Sequence, residues 1–343
     1  MHLGLIRKGP RNHIGDIGGI LVGNAEDEAV RTGVTVVLPE ARAVAACDVR
    51  GGGPGTRETD ALDPVALVDA VDAVVLSGGS SWGLDAASGA AAWLGARGRG
   101  FRLGASPLVS PVVPAAILFD LGNGGDKGWG EKPPYRALGR AACEAAAVDF
   151  ALGNAGAGFG AVAGQYKGGL GSASIVTESG LAVGALIAAN PFGAVVAPGT
   201  DRFWAAPFEM DGEFGGRGGP ETGGFASLDP LAGSKLDTPA RANTTIGVVA
   251  TNADLTPAEA RRVAIMAQDG LARAIRPVHA PVDGDTVFAL ATGLHPLGAE
   301  ARPFAISALG ALAADCVARA IARAVYEAET LGTAISYRDR HKI

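Results

Sequence analysis

The chain is 343 residues long, 48% hydrophobic and 19% charged, enough apolar material for one large core or two modest ones. Its net charge of −6 argues against nucleic acid or an anionic membrane surface as partner, and no uninterrupted apolar run reaches the ~18 residues of a membrane span. The opening Met1-His2-Leu3-Gly4-Leu5-Ile6 is too short for a signal peptide, and Cys47, Cys143 and Cys316 form no CxxC, so a cytoplasmic protein with buried thiols is expected.

With 52 glycines and 6% aromatics, the composition suggests tightly packed layers with close backbone approaches. Residues 13–24 make a glycine-punctuated start. Val34–Pro39 and Ala43–Val49 read as strands, with Glu40-Ala41-Arg42 as a hairpin turn between them. A polar glycine loop follows from Asp48 to Thr59. Ala73–Ser77 then reads as a strand running through Gly78-Gly79-Ser80-Ser81-Trp82-Gly83 into a helix from Leu84 to about Leu94. That strand–turn–helix carries G-x-S-x-G, the context of a nucleophile elbow with Ser81 as nucleophile. An α/β-hydrolase would need a later acid and histidine, and Asp283 and His295 occur in that order. Against it, the segments after residue 170 do not alternate strand and helix.

Residues 101–134 are irregular, bracketed by Pro107, Pro111 and Pro114, and Tyr135 precedes a helix over Arg136–Ala147. The glycine run Gly153–Ala161 lacks the strand–helix context, and the acid ~20 residues on, that a dinucleotide loop needs. Lys167 sits in a glycine loop, where a lysine is ordinarily solvated. Ser172–Thr177 and Leu181–Ala188 form a hairpin across Glu178-Ser179-Gly180. The second strand runs into Asn190-Pro191-Phe192-Gly193, where the Asn190 amide either caps the turn or points into a cleft. Residues 199–242 are Gly-, Pro- and Asp-rich with Phe203, Trp204, Phe208 and Phe214 scattered through them, the pattern of a functional loop or linker.

The pattern sharpens at Asn243-Thr244-Thr245-Ile246-Gly247-Val248-Val249-Ala250-Thr251-Asn252, an amide and two hydroxyl residues opening a β-branched strand. Thr256-Pro257-Ala258-Glu259 is a capping box with proline at the first helical position, predicting a helix over Pro257–Ile275. Thr286–Thr292 reads as a strand. A long helix runs from Pro303 to about Glu329, with Ile306, Leu309, Ala313, Val317, Ile321 and Val325 on one face. Asp283-Gly284-Asp285 reads as a turn, and its two carboxylates have no further ligand cluster to make a metal site. A cut between Asn243 and Thr244 would give the threonine hydroxyl its own base, since an α-amine titrates near ~7.7–8.0.

Asn243-Thr244-Thr245 followed by Asp283-Gly284-Asp285-Thr286 resembles the self-cleavage site and acid run of the P1 peptidase family, the DmpA-like N-terminal-nucleophile hydrolases. The threonine version is similar to the nylon-oligomer hydrolase branch (endo-type 6-aminohexanoate-oligomer hydrolases), more than to the serine-using β- and D-aminopeptidases. The resemblance implies an α/β fold, a four-layer α/β/β/α sandwich of one domain, residues 1–343. It implies self-cleavage into chains 1–243 and 244–343 that stay associated, assembled as a homotetramer. Thr244 would be nucleophile and, through its amine, base; Asn190 an oxyanion donor; Lys167 a cation beside the nucleophile. Asp283 and Asp285 would orient the threonine and its new ammonium.

No cofactor or metal is implied, and the Gly78–Gly83 run has a structural role in the family. Phe119 stands where nylon-hydrolase relatives have a tyrosine. Phe119, Trp82 and Tyr135 are expected as apolar walls of a groove for a small-molecule amide or oligomer substrate. An aminopeptidase acting on short peptides or amino-acid amides is the alternative, and a non-catalytic binding protein on the same scaffold is a further class. The self-cleaving acetyltransferases of the arginine pathway fit the two motifs less well.

Overall fold

The computed structural model describes residues 4–220, 229–236 and 243–343. Two sheets lie face to face, each covered on its outer side by helices, in an α/β/β/α order. The larger sheet has seven strands in the spatial order Ile6–Lys8, Gly169–Thr177, Ala182–Asn190, Thr244–Ala253, Thr286–His295, Ala43–Val49 and Ala70–Val71. The smaller has five, Ile20–Asp27, Thr32–Pro39, Val74–Ser77, Ala115–Ile117 and Thr56–Arg57.

The apolar runs are continuous because both faces of the strands are buried. Along Thr244–Ala253, Ile246, Val248 and Ala250 face the layer between the sheets, while Val249 and Ala253 face the outer helices. In the smaller sheet Val37 points between the sheets, and Val34, Val36 and Leu38 pack on the helices Ala86–Gly95 and Tyr135–Glu144. The larger sheet is covered by Pro257–Ala267, Asp269–Ala274 and the 25-residue helix Arg302–Tyr326. That last helix is long and apolar enough to cross a membrane by composition, and 67% of its most apolar window is buried against the sheet.

Most predicted elements stand within a few residues of their expected bounds, including the hairpin Gly169–Thr177/Ala182–Asn190 and the capping box at Thr256. The helix predicted over Pro257–Ile275 is interrupted at Gln268, whose buried amide donates to the Asp48 carbonyl at 2.8 Å. One expectation is overturned. Thr32–Pro39 and Ala43–Val49 are not a hairpin: the first pairs with Ile20–Asp27 and Val74–Ser77, the second with Thr286–His295 and Ala70–Val71. Each strand has two apolar faces to cover, and Pro39 ends the first ladder. Residues 40–42 therefore carry the chain from one sheet to the other.

The tract expected as a loop or linker is packed over residues 199–220. Phe203 and Phe214 are buried edge to face, centroids 5.4 Å apart, and Glu213 reaches the helix Arg302–Tyr326. There Arg319, fully buried, donates to Glu213 at 2.9 Å, to Asn12 Oδ1 at 2.7 Å and to the Ser174 carbonyl at 3.1 Å. Residues 221–228 and 237–242 of the tract lie outside the described residues. Removing one partner of a buried ion pair strands the other charge, at about 3–5 kcal/mol. Glu213→Ala should therefore lower the melting temperature sharply, whereas Glu209→Ala, which loses hydrogen bonds from the Phe214 and Gly216 backbone but strands no buried charge, should lower it less. Equal melting temperatures for Glu213→Ala and wild type would count against the pair as a structural tie.

Candidate active site

Three neighbouring strands of the larger sheet bring Asn190, Thr244, Asp283 and Asp285 to one end. Thr244–Ala253 is antiparallel to Ala182–Asn190, so the first residue of one faces the last of the other: Thr244 is the register partner of Asn190. It is parallel to Thr286–His295, with Ile246 paired to Thr286, so the residues leading into that strand come beside Thr244. A Cβ on Gly284 would stand 2.8 Å from Thr244 Oγ1 and 2.9 Å from the Gly53 carbonyl oxygen. Glycine at this turn lets the acid-bearing loop approach the hydroxyl.

Thr244 is buried, and its hydroxyl donates to the carbonyl oxygen of Asn243. It also lines a cavity of about 430 Å³ with Gly53, Pro54, Gly55, Ile117 and Phe119. Among the described residues that line it, none carries a charge. Among the described residues, Asn190 Oδ1 accepts from Val162 N at 2.9 Å and Lys235 Nζ at 3.2 Å, and Nδ2 donates to the Phe119 carbonyl at 3.1 Å. Its side-chain orientation follows from these partners, since two donors meet the oxygen and an acceptor meets the nitrogen.

The two carboxylates hold backbone around Thr244. Asp285 Oδ1 accepts from Thr245 N at 2.8 Å, and its Oδ2 from His279 N at 3.2 Å and the His279 ring at 2.8 Å. Asp283 accepts from Phe192 N at 3.0 Å and Ala280 N at 3.2 Å. Burial, then the neighbouring Asp285 charge, pushes the Asp283 carboxyl up to about 6. Both acids thus act on the segments flanking the threonine, and their hydrogen bonds go to Thr245, Phe192, His279 and Ala280. Lys167 is fully buried and donates to the carbonyls of Gly168 at 2.7 Å and Gly158 at 3.2 Å; burial brings its ammonium down to about 7, against the opposing pull of Asp120.

Of the expected apolar walls, Phe119 lines the cavity and Tyr135 does not. The Tyr135 ring is wholly buried under Gly79, where an added Cβ would meet it at 2.0 Å, and packs edge-on against Trp129 at 5.9 Å. Trp82 packs edge-on against Trp129 at 6.2 Å, remains 47% exposed, and is not among the cavity's lining residues. Ser81 does border the cavity, but the elbow triad does not assemble. His295 is the register partner of Ala253, at the far end of the strand from Thr244, and Asp283 is bonded to Phe192 and Ala280. Two groups near the site carried no readable signal in the sequence. Lys235 lies in a Gly/Pro tract without periodicity, and His279 is assigned only by its bond to Asp285.

Lys167 gives the site a pH signature. With its folded-state value near 7 and the ordinary value near 10.5, the folded chain binds fewer protons than the unfolded chain between those limits. Stability contributed by this group rises with pH across that window. Thermal melts at pH 7 and 9.5 should show a smaller rise for Lys167→Met than for wild type; an unchanged rise would mean that Lys167 is not buried as a neutral amine.

Comparison with known proteins gives the family and the fold type. The family described as Peptidase family S58 matches residues 12–337. An uncharacterized aminopeptidase of Mycobacterium bovis is 47% identical over 346 residues, covering 96% of this chain and 97% of that one. A 6-aminohexanoate-oligomer endohydrolase of Kocuria sp. is 31% identical over 288 residues, 81% of this chain and 74% of that one. Among solved structures, a Burkholderia sp. beta-aminopeptidase superposes with TM-score 0.68 at 24% identity, covering 98% of this chain and 94% of that chain. The l-aminopeptidase d-ala-esterase/amidase of Ochrobactrum anthropi, described as a variant of the Ntn hydrolase fold, does so with TM-score 0.68 at 21% identity, covering 99% and 94%. The sandwich is thus an Ntn-hydrolase fold of the DmpA type, and the chain belongs to Peptidase family S58, a family of amide-bond hydrolases.

Proposed function

We propose that the chain is a self-processing N-terminal-nucleophile amide hydrolase with Thr244 as nucleophile. The observation that carries this reading is the Thr244 hydroxyl set against the Asn243 carbonyl beside the cavity. Thr244 Oγ1 attacks the Asn243 carbonyl carbon, and the hydroxyl proton passes to the Thr244 nitrogen as the C–N bond breaks. Water then hydrolyses the ester, leaving a carboxylate on Asn243, an α-amine on Thr244, and chains 1–243 and 244–343. In turnover the amine takes the hydroxyl proton, Thr244 attacks the substrate carbonyl, and the proton moves on to the departing amine. Water resolves the acyl-enzyme. The Asn190 amide is the oxyanion donor, with Lys167 as a buried amine near it, and Asp283 and Asp285 fix the flanking backbone.

On a denaturing gel the purified protein should give two fragments, the smaller beginning Thr-Thr-Ile-Gly-Val. Thr244→Ser should still cleave, because the chemistry needs only a hydroxyl. Thr244→Ala should stay one inactive chain, and an active, uncut Thr244→Ala protein would return attention to Ser81.

The uncharged character of the described residues lining the cavity favours linear ω-amino-acid oligomers, cut at internal amide bonds, as substrates. A second reading, an aminopeptidase, is favoured by the 47%-identical relatives named aminopeptidases, and would need a carboxylate to hold the substrate ammonium. 6-Aminohexanoate oligomers blocked at the amino end separate the two. Their hydrolysis supports the oligomer reading; blocked oligomers left intact while short free-amine peptides are consumed would replace it with the aminopeptidase.

A further inference from the structure

Lys235 belongs to the tract before Asn243, in a segment with no regular secondary structure, yet its side chain is buried against the turn that carries Asn190. Nζ donates to both the backbone oxygen and Oδ1 of Asn190, at 3.1 and 3.2 Å, and its own N–H donates to the Phe192 carbonyl at 3.0 Å. On the other side of the turn, Phe192 N donates to Asp283 at 3.0 Å. The Asn190-Pro191-Phe192 turn is thus gripped by Lys235 and by the acid loop together. The stretch from 236 to 243 leaves Lys235 at one end and enters Thr244, the register partner of Asn190, at the other. Lys235 and Thr244, the residues on either side of that stretch, thus both meet the same asparagine.

An asparagine serves as an oxyanion donor only through its nitrogen. The amide is nearly symmetric in shape, so the groups around it decide which end faces the reacting carbonyl. Val162 N–H and Lys235 Nζ both oppose a flip, because a flipped amide would set its NH₂ against two donors. A donor on Oδ1 also draws electron density from the amide and strengthens Nδ2–H as a donor. We propose that Lys235 is a positioning residue that sets the Asn190 amide for self-cleavage and for hydrolysis. This rests on the reading of Thr244 as nucleophile and Asn190 as oxyanion donor.

The test compares wild type, Lys235→Met, Lys235→Arg, Asn190→Ala, the Asn190→Ala/Lys235→Met double variant and Thr244→Ala as full-length chains. It follows fragment formation on gels, and kcat and KM on 6-aminohexanoate oligomers or, if these are not turned over, short free-amine peptides. Lys235→Met should slow fragment formation and lower kcat by about tenfold or more, with KM within about twofold. Lys235→Arg, which keeps the donors, should recover to within about threefold of wild type. A packing role predicts the reverse order, with Met tolerated and the larger Arg damaging. In the Asn190→Ala background, Lys235→Met should cost less than about twofold more, because its route runs through that amide. Wild-type rates in Lys235→Met, or losses that multiply in the double variant, would overturn the proposal. Should Lys235→Met not fold, Lys235→Gln, too short to reach Oδ1, should show the same loss and carries the same decision. Activity retained by Thr244→Ala would instead defeat the underlying nucleophile reading, independently of how the Lys235 variants rank.

Discussion

Everything at the site depends on the register of one buried strand between two unlike neighbours. Thr244–Ala253 is antiparallel to Ala182–Asn190 on one side and parallel to Thr286–His295 on the other. The antiparallel pair brings the end of a preceding strand to Thr244, and the parallel pair brings the start of a following one. A slip of one residue would exchange the faces of Ile246, Val248 and Ala250 with those of Val249 and Ala253, moving large side chains between two different cores. The packing of both layers therefore fixes where the threonine hydroxyl lies. The site is as rigid as the sheet that ends there.

The ionisable groups gathered near that end are costly to bury, and Asp283, Asp285 and Lys167 each bond to local partners. Asp283 and Asp285 spend their oxygens on backbone N–H groups and on His279, and Lys167 its hydrogens on the Gly158 and Gly168 carbonyls. The result is a set of buried ionisable groups near the nucleophile, while the described residues that line the adjoining cavity carry no charge. Burial raises the proton affinity of the Asp283 carboxylate and lowers that of the Lys167 amine.

Much of this was legible in the sequence. The strand from Thr244, the hairpin ending at Asn190 and the Asp-Gly-Asp turn each carry local chemistry, and the family motifs order them. What the sequence hid was long-range. The residues 40–42 look like a hairpin turn because nothing local tells a turn between paired strands from a step between two sheets. Tyr135 looked available because the glycine under which it packs, Gly79, is distant in sequence. Lys235 was invisible because its environment is made by Asn190, 45 residues away, within a tract that has no periodic pattern.

The order of strands in the larger sheet has a consequence for the proposed cut. Thr244–Ala253 and Thr286–His295, both from the C-terminal portion, lie side by side, flanked on one side by Ala182–Asn190 and on the other by Ala43–Val49. A severed backbone would leave the smaller piece wedged inside the sheet, hydrogen-bonded along both edges to the larger. Cutting would then alter connectivity without altering shape. It would also turn refolding from a unimolecular event into a meeting of two chains, each with bare strand edges that invite aggregation. Such a protein would be made once, as a single chain, and its persistence thereafter would be a matter of how slowly it comes apart.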